Sequence, residues 1–307
     1  MYSPRTPIPK FSGINSDHME NNITFVTAYF FIETFRKGDT ILQGIDDYLG
    51  WLEGFSNFDN DLIVFTDLPL VANMLWECRN HLPMHKTQIY IIHKNELWAF
   101  SLSDKIKEIY DKPGYPRHYP NTVVAEYPCI MHAKYELMER VIRQRMFRTK
   151  YLAWIDIGYF RSKYRKPFQL LIPPDFKEDH IAFVQMYTFE QHTAFSVISE
   201  NAVWVAGGMF IGRPEYLMVF IEDYRRLVLS MLNRGIMGTD QHLLYIMYTE
   251  SEHVFPRVPV QTYSAPCKCD WFYLGHYCRH IYENSRQQRQ RRQAGRGQLL
   301  SIYHQYM

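Results

Sequence analysis

Apolar residues in this chain fall into two rhythms. The runs ITFVTAYFFI (23–32), DLIVFTDLP (61–69), TQIYIIH (87–93) and YLAWIDIG (151–158) are almost continuously apolar, rich in β-branched and aromatic residues, as in strands buried on both faces. Between them the spacing lengthens to three and four. Ile41, Ile45, Leu49 and Leu52 predict a helix over 40–56, and CIMHAKYELMERVIRQRMFRTK predicts a long helix over 128–149. Further on, IAFVQMY (181–187) and AVWVAGGMFIG (202–212) read as strands. An amphipathic helix over 213–235 has Pro214 in its first turn and Gly235 after its end, and another helix covers 238–250. Buried strands alternating with helices predict an α/β fold of the doubly wound kind: a mostly parallel central sheet with helices on both faces, in one large domain.

Such sheets bind ligands at the carboxyl ends of their strands. Two predicted strands stop alike, at Asp67 and at Asp156, the latter followed by Gly158. Asp is also common in turns after strands, so each acid has a structural reading beside the functional one. Gly207 and Gly208 interrupt an apolar strand, which marks a bulge or the close approach of another backbone or a ligand. No Lys-Ser/Thr follows them, so they are not a phosphate loop. Thr239 or Asp240 is the natural N-cap of the helix over 238–250.

At 307 residues, 47% hydrophobic and 16% aromatic, the chain can bury a large core, and most of its 23 Tyr and 20 Phe belong there. Net charge is +2, but RQQRQRRQAGR (286–296) supplies five Arg, and the remainder carries 29 basic against 32 acidic residues. The folded body is therefore not a nucleic-acid-type basic surface, and nucleic acid is not an expected partner. The Arg-rich tail is a solvated segment, with contact to acidic membrane or RNA as the sharper alternative. No run of 18 apolar residues and no signal-like N-terminus is present, and five Cys, an odd number, suit a reducing compartment. A cytoplasmic protein, peripheral to a membrane at most, is the expectation. The segments are an N-terminal extension (1–20), the α/β domain (21–283) with halves at about 21–160 and 161–283, and a basic tail (284–307).

Taken in order, ITFVTAYF, LIVFTD, YLAWIDIGYFR, VWVAGGMFIG and GTDQHLLYIMY resemble the HtrL/YibB family over about residues 23–257. That family resembles nucleotide-diphospho-sugar transferases of the GT-A type. The resemblance implies a GT-A-like fold and a hexosyltransferase that uses a donor such as a UDP-hexose with Mn2+ or Mg2+ and acts on a glycan or lipopolysaccharide-type glycolipid acceptor. A non-catalytic nucleotide- or glycan-binding protein of the same fold is the alternative.

Such enzymes usually hold the diphosphate through a divalent metal bridged by Asp-x-Asp, because hard cations take oxygen ligands. Here the motif reads Asp156-Ile157-Gly158, with one carboxylate missing. Asp156 could bind metal with a distant ligand, or bind the ribose and leave the diphosphate to Lys134, Arg161 and Lys163, or mark a lost activity. Gly158 permits either close ligand approach or a tight turn. By the same resemblance Gly207 and Gly208 face the donor sugar, Asp240 is the candidate general base of an inverting transfer, and Thr27, Tyr29 and Asp67 surround the nucleoside. A retaining mechanism is equally open.

Two other features have competing readings. Lys134 either reaches phosphate or lies on a solvated helix face among Glu136, Glu139, Arg140 and Arg143. Cys267, Cys269 and Cys278 with His276 or His280 have the ligand types of a zinc site, but a Cys-x-Cys pair is tighter than structural zinc sites use. The alternative is free thiols, or a C-terminal segment that folds over the donor site with a histidine as metal ligand. Donor, acceptor and oligomeric state are not legible in the sequence.

Overall fold

In a computed structural model, which describes residues 23–38, 40–161, 164, 166–249, 256–266 and 270–287, seven strands form one sheet. In chain order the strands are β1 (Ile23–Tyr29), β2 (Phe35–Lys37), β3 (Ile41–Gln43), β4 (Asp61–Thr66), β5 (Thr87–Ile91), β6 (Tyr151–Ile155), β7 (Ile181–Gln185), β8 (Val205–Gly212) and β9 (Val260–Tyr263). The helices are α1 (Ile45–Leu52), α2 (Pro69–Arg79), α3 (Ser103–Tyr110), α4 (Glu126–Arg143), α5 (Ala194–Ser199), α6 (Pro214–Asn233) and α7 (Asp240–Thr249), and a C-terminal helix covers 273–287.

The sheet order is β5-β4-β1-β6-β8-β7-β9. Pairs β5/β4, β4/β1, β1/β6 and β7/β9 are parallel, and only β8 runs against its neighbours β6 and β7. The expected mostly parallel α/β sheet is therefore what the chain builds. The strand periodicity explains its two helical layers. Val26, Ile63, Phe65, Leu152, Trp154 and Phe210 face one layer, which holds α3 to α7. Their alternates Phe25, Leu62, Val64, Ala153, Ile155 and Ile211 face the other, with α1, α2 and the C-terminal helix. Both faces are covered, which is why the runs read as continuously apolar.

The predicted helix over 40–56 is corrected. Strands β2 and β3 pair as an antiparallel hairpin, with Gly38 at φ +62° directly after β2, and only 45–52 is α-helical. Ile41 and Leu42 are exposed on this hairpin, so their spacing did not report a buried helix face. The helix expected over 128–149 runs from Glu126 to Arg143. The Arg-rich run beyond residue 287 lies outside the described residues, as do Cys267 and Cys269. No helix among the described residues is long and apolar enough to cross a membrane.

Two buried histidines tie stability to pH. His132 faces the Tyr224 hydroxyl at 2.7 Å, and His242 Nδ1 accepts the Thr239 N–H at 3.1 Å. Burial pushes both pKa values down to about 3. Between that value and the ordinary histidine range the unfolded chain binds protons that the folded one does not, so stability is full above pH 6.5 and falls as pH drops. Urea unfolding is expected to show lower stability at pH 5.0 than at pH 7.5, the loss approaching roughly 1.4 kcal/mol per pH unit per histidine once pH is below 6.5. His242→Asn should flatten the slope; a pH-independent midpoint in the parent chain contradicts both assignments.

Candidate functional site

The site begins with a register. Strand β6 pairs with β8 so that Ile155 lies opposite Met209, and the next N–H, that of Asp156, donates to Gly208 O at 2.8 Å. On its other side β8 pairs with β7, where the register shifts between Phe183 (opposite Phe210) and Val184 (opposite Ala206). Gly207, Gly208 and Met209 fall inside that irregularity, as glycines within an apolar strand suggest. The Gly207 carbonyl is thereby turned away from the ladder and accepts from Lys134 Nζ at 3.0 Å.

Lys134 comes from α4, on the layer that Trp154 also faces. It is 2% exposed, so the solvated-face reading is overturned: Glu139 and Arg143 pair with each other near the surface, whereas Lys134 points into the sheet. Its ammonium donates to Gly207 O, to Asp156 Oδ1 at 2.9 Å and to Asp240 Oδ2 at 3.0 Å. All three N–H bonds are therefore used by the protein itself. Burial works against the charge, but the two carboxylates outweigh it and hold the pKa above the ordinary lysine value.

Asp240 is 1% exposed at the first turn of α7, where Oδ1 accepts the Gln241 N–H at 2.9 Å. Burial pushes its carboxyl up, and the adjacent Lys134 pulls the other way. Asp240 does not reach the open pocket. Asp156 differs: its side chain is 38% exposed, Oδ1 accepts from Lys134 and from Trp154 Nε1 (2.8 Å), and Oδ2 receives no hydrogen bond among the described residues.

Asp156 opens onto a pocket with about 930 Å³ of empty volume, mouth included. Its walls include Tyr29, Tyr48, Trp51, Tyr127, Trp154 and Phe272. The rings of Tyr29, Tyr48 and Trp51 meet edge to face at 5.1 and 5.0 Å. Arg161 lays its guanidinium over Trp51 at 4.5 Å and near Phe272 at 5.5 Å, while its Nε donates to Gly158 O at 3.2 Å. Lys37, from the β2/β3 hairpin, also lines the pocket. Burial, with Arg161 beside it, lowers the Lys37 pKa.

The structure thus gathers Tyr29, Lys134, Asp156, Gly158, Arg161 and Gly208 at one pocket, with Gly207 and Asp240 directly behind. Gly158 is needed because a Cβ would stand 2.6 Å from the Trp51 ring. Thr27 and Asp67 are elsewhere. Thr27 is fully buried in β1, its hydroxyl without a partner among the described residues, and Asp67 Oδ1 caps the Phe31 N–H at 2.9 Å in the loop after β1. Tyr29 is 7% exposed, and burial, then Asp67, pushes its hydroxyl up to about 12. Lys163 lies outside the described residues. The zinc set has two of its thiols there as well; Cys278 is buried, and burial raises its pKa, while His276 and His280 are bonded to Asp270 and Asn284. Sequence reasoning missed Lys37, Tyr48, Trp51, Tyr127 and Phe272. For Lys37 the available signal was Lys-Gly-Asp, a turn sequence immediately before the helix assigned to 40–56.

A Cβ at Gly207 would stand 2.2 Å from Asp240 Oδ2, whereas one at Gly208 would sit 3.6 Å from Asp156 Oδ2. Gly207→Ala is therefore expected to destabilise by about 2 kcal/mol in urea unfolding, through overpacking against the Lys134–Asp240 pair, and Gly208→Ala by less than about 0.5 kcal/mol. Equal effects at the two glycines contradict this geometry.

Comparison with known proteins agrees in extent with the described sheet. Residues 21–277 match the family model described as "Bacterial protein of unknown function (HtrL_YibB)". Protein HtrL of Escherichia coli (strain K12) is 23% identical over 258 residues, covering 77% of this chain and 87% of that protein. Among solved structures, apo mouse xyloside xylosyltransferase 1 is similar with a TM-score of 0.41 and 10% identity, covering 79% of this chain and 85% of that one. With the family model spanning the sheet from β1 through β9 and both acids of the site, the chain belongs to the HtrL/YibB family.

Proposed function

We propose that this chain is a GT-A-like glycosyltransferase, which moves a hexose from a nucleotide-diphospho-sugar to a glycan or glycolipid hydroxyl, with Asp156 at the donor site. One observation carries the reading. At the carboxyl edge of a parallel strand, a single half-exposed carboxylate is locked on one oxygen and open on the other, facing an aromatic pocket that also holds cations. Aromatic walls suit a nucleobase and a sugar face, the open oxygen suits sugar hydroxyls, and Lys37 and Arg161 suit phosphate.

In the transfer, the bond from the anomeric carbon to the diphosphate oxygen breaks, a bond to the acceptor oxygen forms, and the acceptor proton leaves. Asp156 Oδ2 is the carboxylate oxygen that faces this space and takes that proton in an inverting transfer. Asp240, buried and paired, acts through Lys134 as a positioning residue. Lys134 in turn fixes the Asp156 rotamer and gives no hydrogen bond to the ligand.

Among the described residues, the donor set does not fit a divalent metal held by the protein. Asp156 Oδ1 is bonded to Lys134 and Trp154, position 158 is glycine, and the nearest other acid of the site is buried on the same ammonium. A second cation at Asp156 would have only Oδ2 and would face the Lys134 charge within the same carboxylate.

Nucleoside diphosphate release from UDP-, GDP- and CDP-hexoses tests the reading. One donor is expected to turn over, with Asp156→Asn slowing it at least about 100-fold. Binding without turnover would instead favour the non-catalytic protein of the same fold, and turnover untouched by Asp156→Asn would contradict the assigned site.

A further inference from the structure

Lys37 has no role in the fold that its surroundings explain. It sits on a short hairpin, partly buried in the pocket wall, and its ammonium has no hydrogen-bond or ion-pair partner among the described residues. The groups acting on it are Arg161 and Lys134, which repel it, and Asp156, which attracts it. Asp156 is already engaged by Lys134. Arg161 likewise stacks on Trp51 and spends only Nε on a protein carbonyl, and among the described residues its terminal N–H groups have no carboxylate partner.

Two under-compensated cations on one rim cost free energy in the empty pocket, and that cost is removed by an anion placed between them. The ion has to carry more than one negative charge to satisfy both, and a guanidinium fork suits phosphate oxygens. We propose that Lys37 and Arg161 form a diphosphate cradle that replaces the divalent metal, so that the donor binds without one. The inference rests on the nucleotide-sugar reading for the identity of the donor, but the cradle itself is a property of the two cations.

The physical logic joins three features. An Asp-x-Asp site brings a divalent cation to neutralise the diphosphate. Here Gly158 removes the second acid, Lys134 takes the first acid's inner oxygen, and Lys37 with Arg161 supplies two positive charges directly. The hairpin contributes from far away in sequence: Lys37, the last residue of β2 before Gly38, lines the same pocket as Trp154 and Asp156, more than a hundred positions on.

Calorimetry with inorganic pyrophosphate and with UDP-, GDP- and CDP-hexoses, in EDTA and in Mn2+, separates the two claims. Wild type, Lys37→Gln and Arg161→Gln are compared, with circular dichroism confirming that the variants fold. Pyrophosphate and one nucleotide sugar are expected to bind equally well in EDTA and in Mn2+, and each substitution is expected to weaken both at least about tenfold. Binding that requires Mn2+, or binding in EDTA that neither substitution weakens, overturns the cradle and leaves the nucleotide-sugar reading intact. Pyrophosphate binding lost in both variants, with no nucleotide sugar bound, supports the cradle and overturns the nucleotide-sugar reading. No binding of either ligand overturns both.

Discussion

A lysine ammonium buried against the sheet governs the arrangement of this site. Removing such a charge from water costs several kcal/mol unless every N–H finds an acceptor, and Lys134 finds three: one carbonyl and two carboxylates. Each acceptor then constrains its own element. The carbonyl is free because β8 breaks register at Gly207, the Asp240 carboxylate fits because position 207 has no Cβ, and Asp156 is reached because β6 ends one residue earlier. Four elements, α4, β6, β8 and α7, meet at one nitrogen.

This constraint divides the two acids by role. Asp240 is enclosed and balances the buried charge. Asp156 is shared between the interior and the pocket, with Oδ1 turned in and Oδ2 turned out. A carboxylate fixed on one oxygen keeps its other oxygen in place at little further entropic cost, which is what contact with a sugar hydroxyl requires. The aromatic walls come from separate segments, α1, α4 and the residues before the C-terminal helix, so the pocket exists only in the folded chain.

Much of the fold was legible because the continuously apolar runs and the buried strands coincide. YLAWI and LIVFT are buried throughout, and the acids after them do lie at the carboxyl edge. The glycine pair in β8 marked a bulge or the close approach of a backbone or ligand; it lies at a register shift, and the group that approaches Gly207 is the Asp240 side chain. Three things were not legible. The β2/β3 hairpin was hidden because its exposed Ile41 continues a helical spacing with Ile45, Leu49 and Leu52. The direction of Lys134 was hidden because the neighbouring charges on α4 suggest a wet face, whereas helical rotation turns residue 134 toward the sheet along with Tyr135 and Met138. Asp67 looked equivalent to Asp156, and only the tertiary fold turns one into a loop cap and the other into a pocket wall.

The most direct test of the central claim is a double-mutant cycle between Lys134→Met and Asp240→Asn, read by urea unfolding. Lys134→Met leaves a buried carboxylate unpaired and is expected to cost about 3 to 5 kcal/mol. Adding Asp240→Asn should restore part of that loss, giving a coupling of at least about 1 kcal/mol between the two positions. Strictly additive effects would contradict a buried ion pair as the anchor of the site.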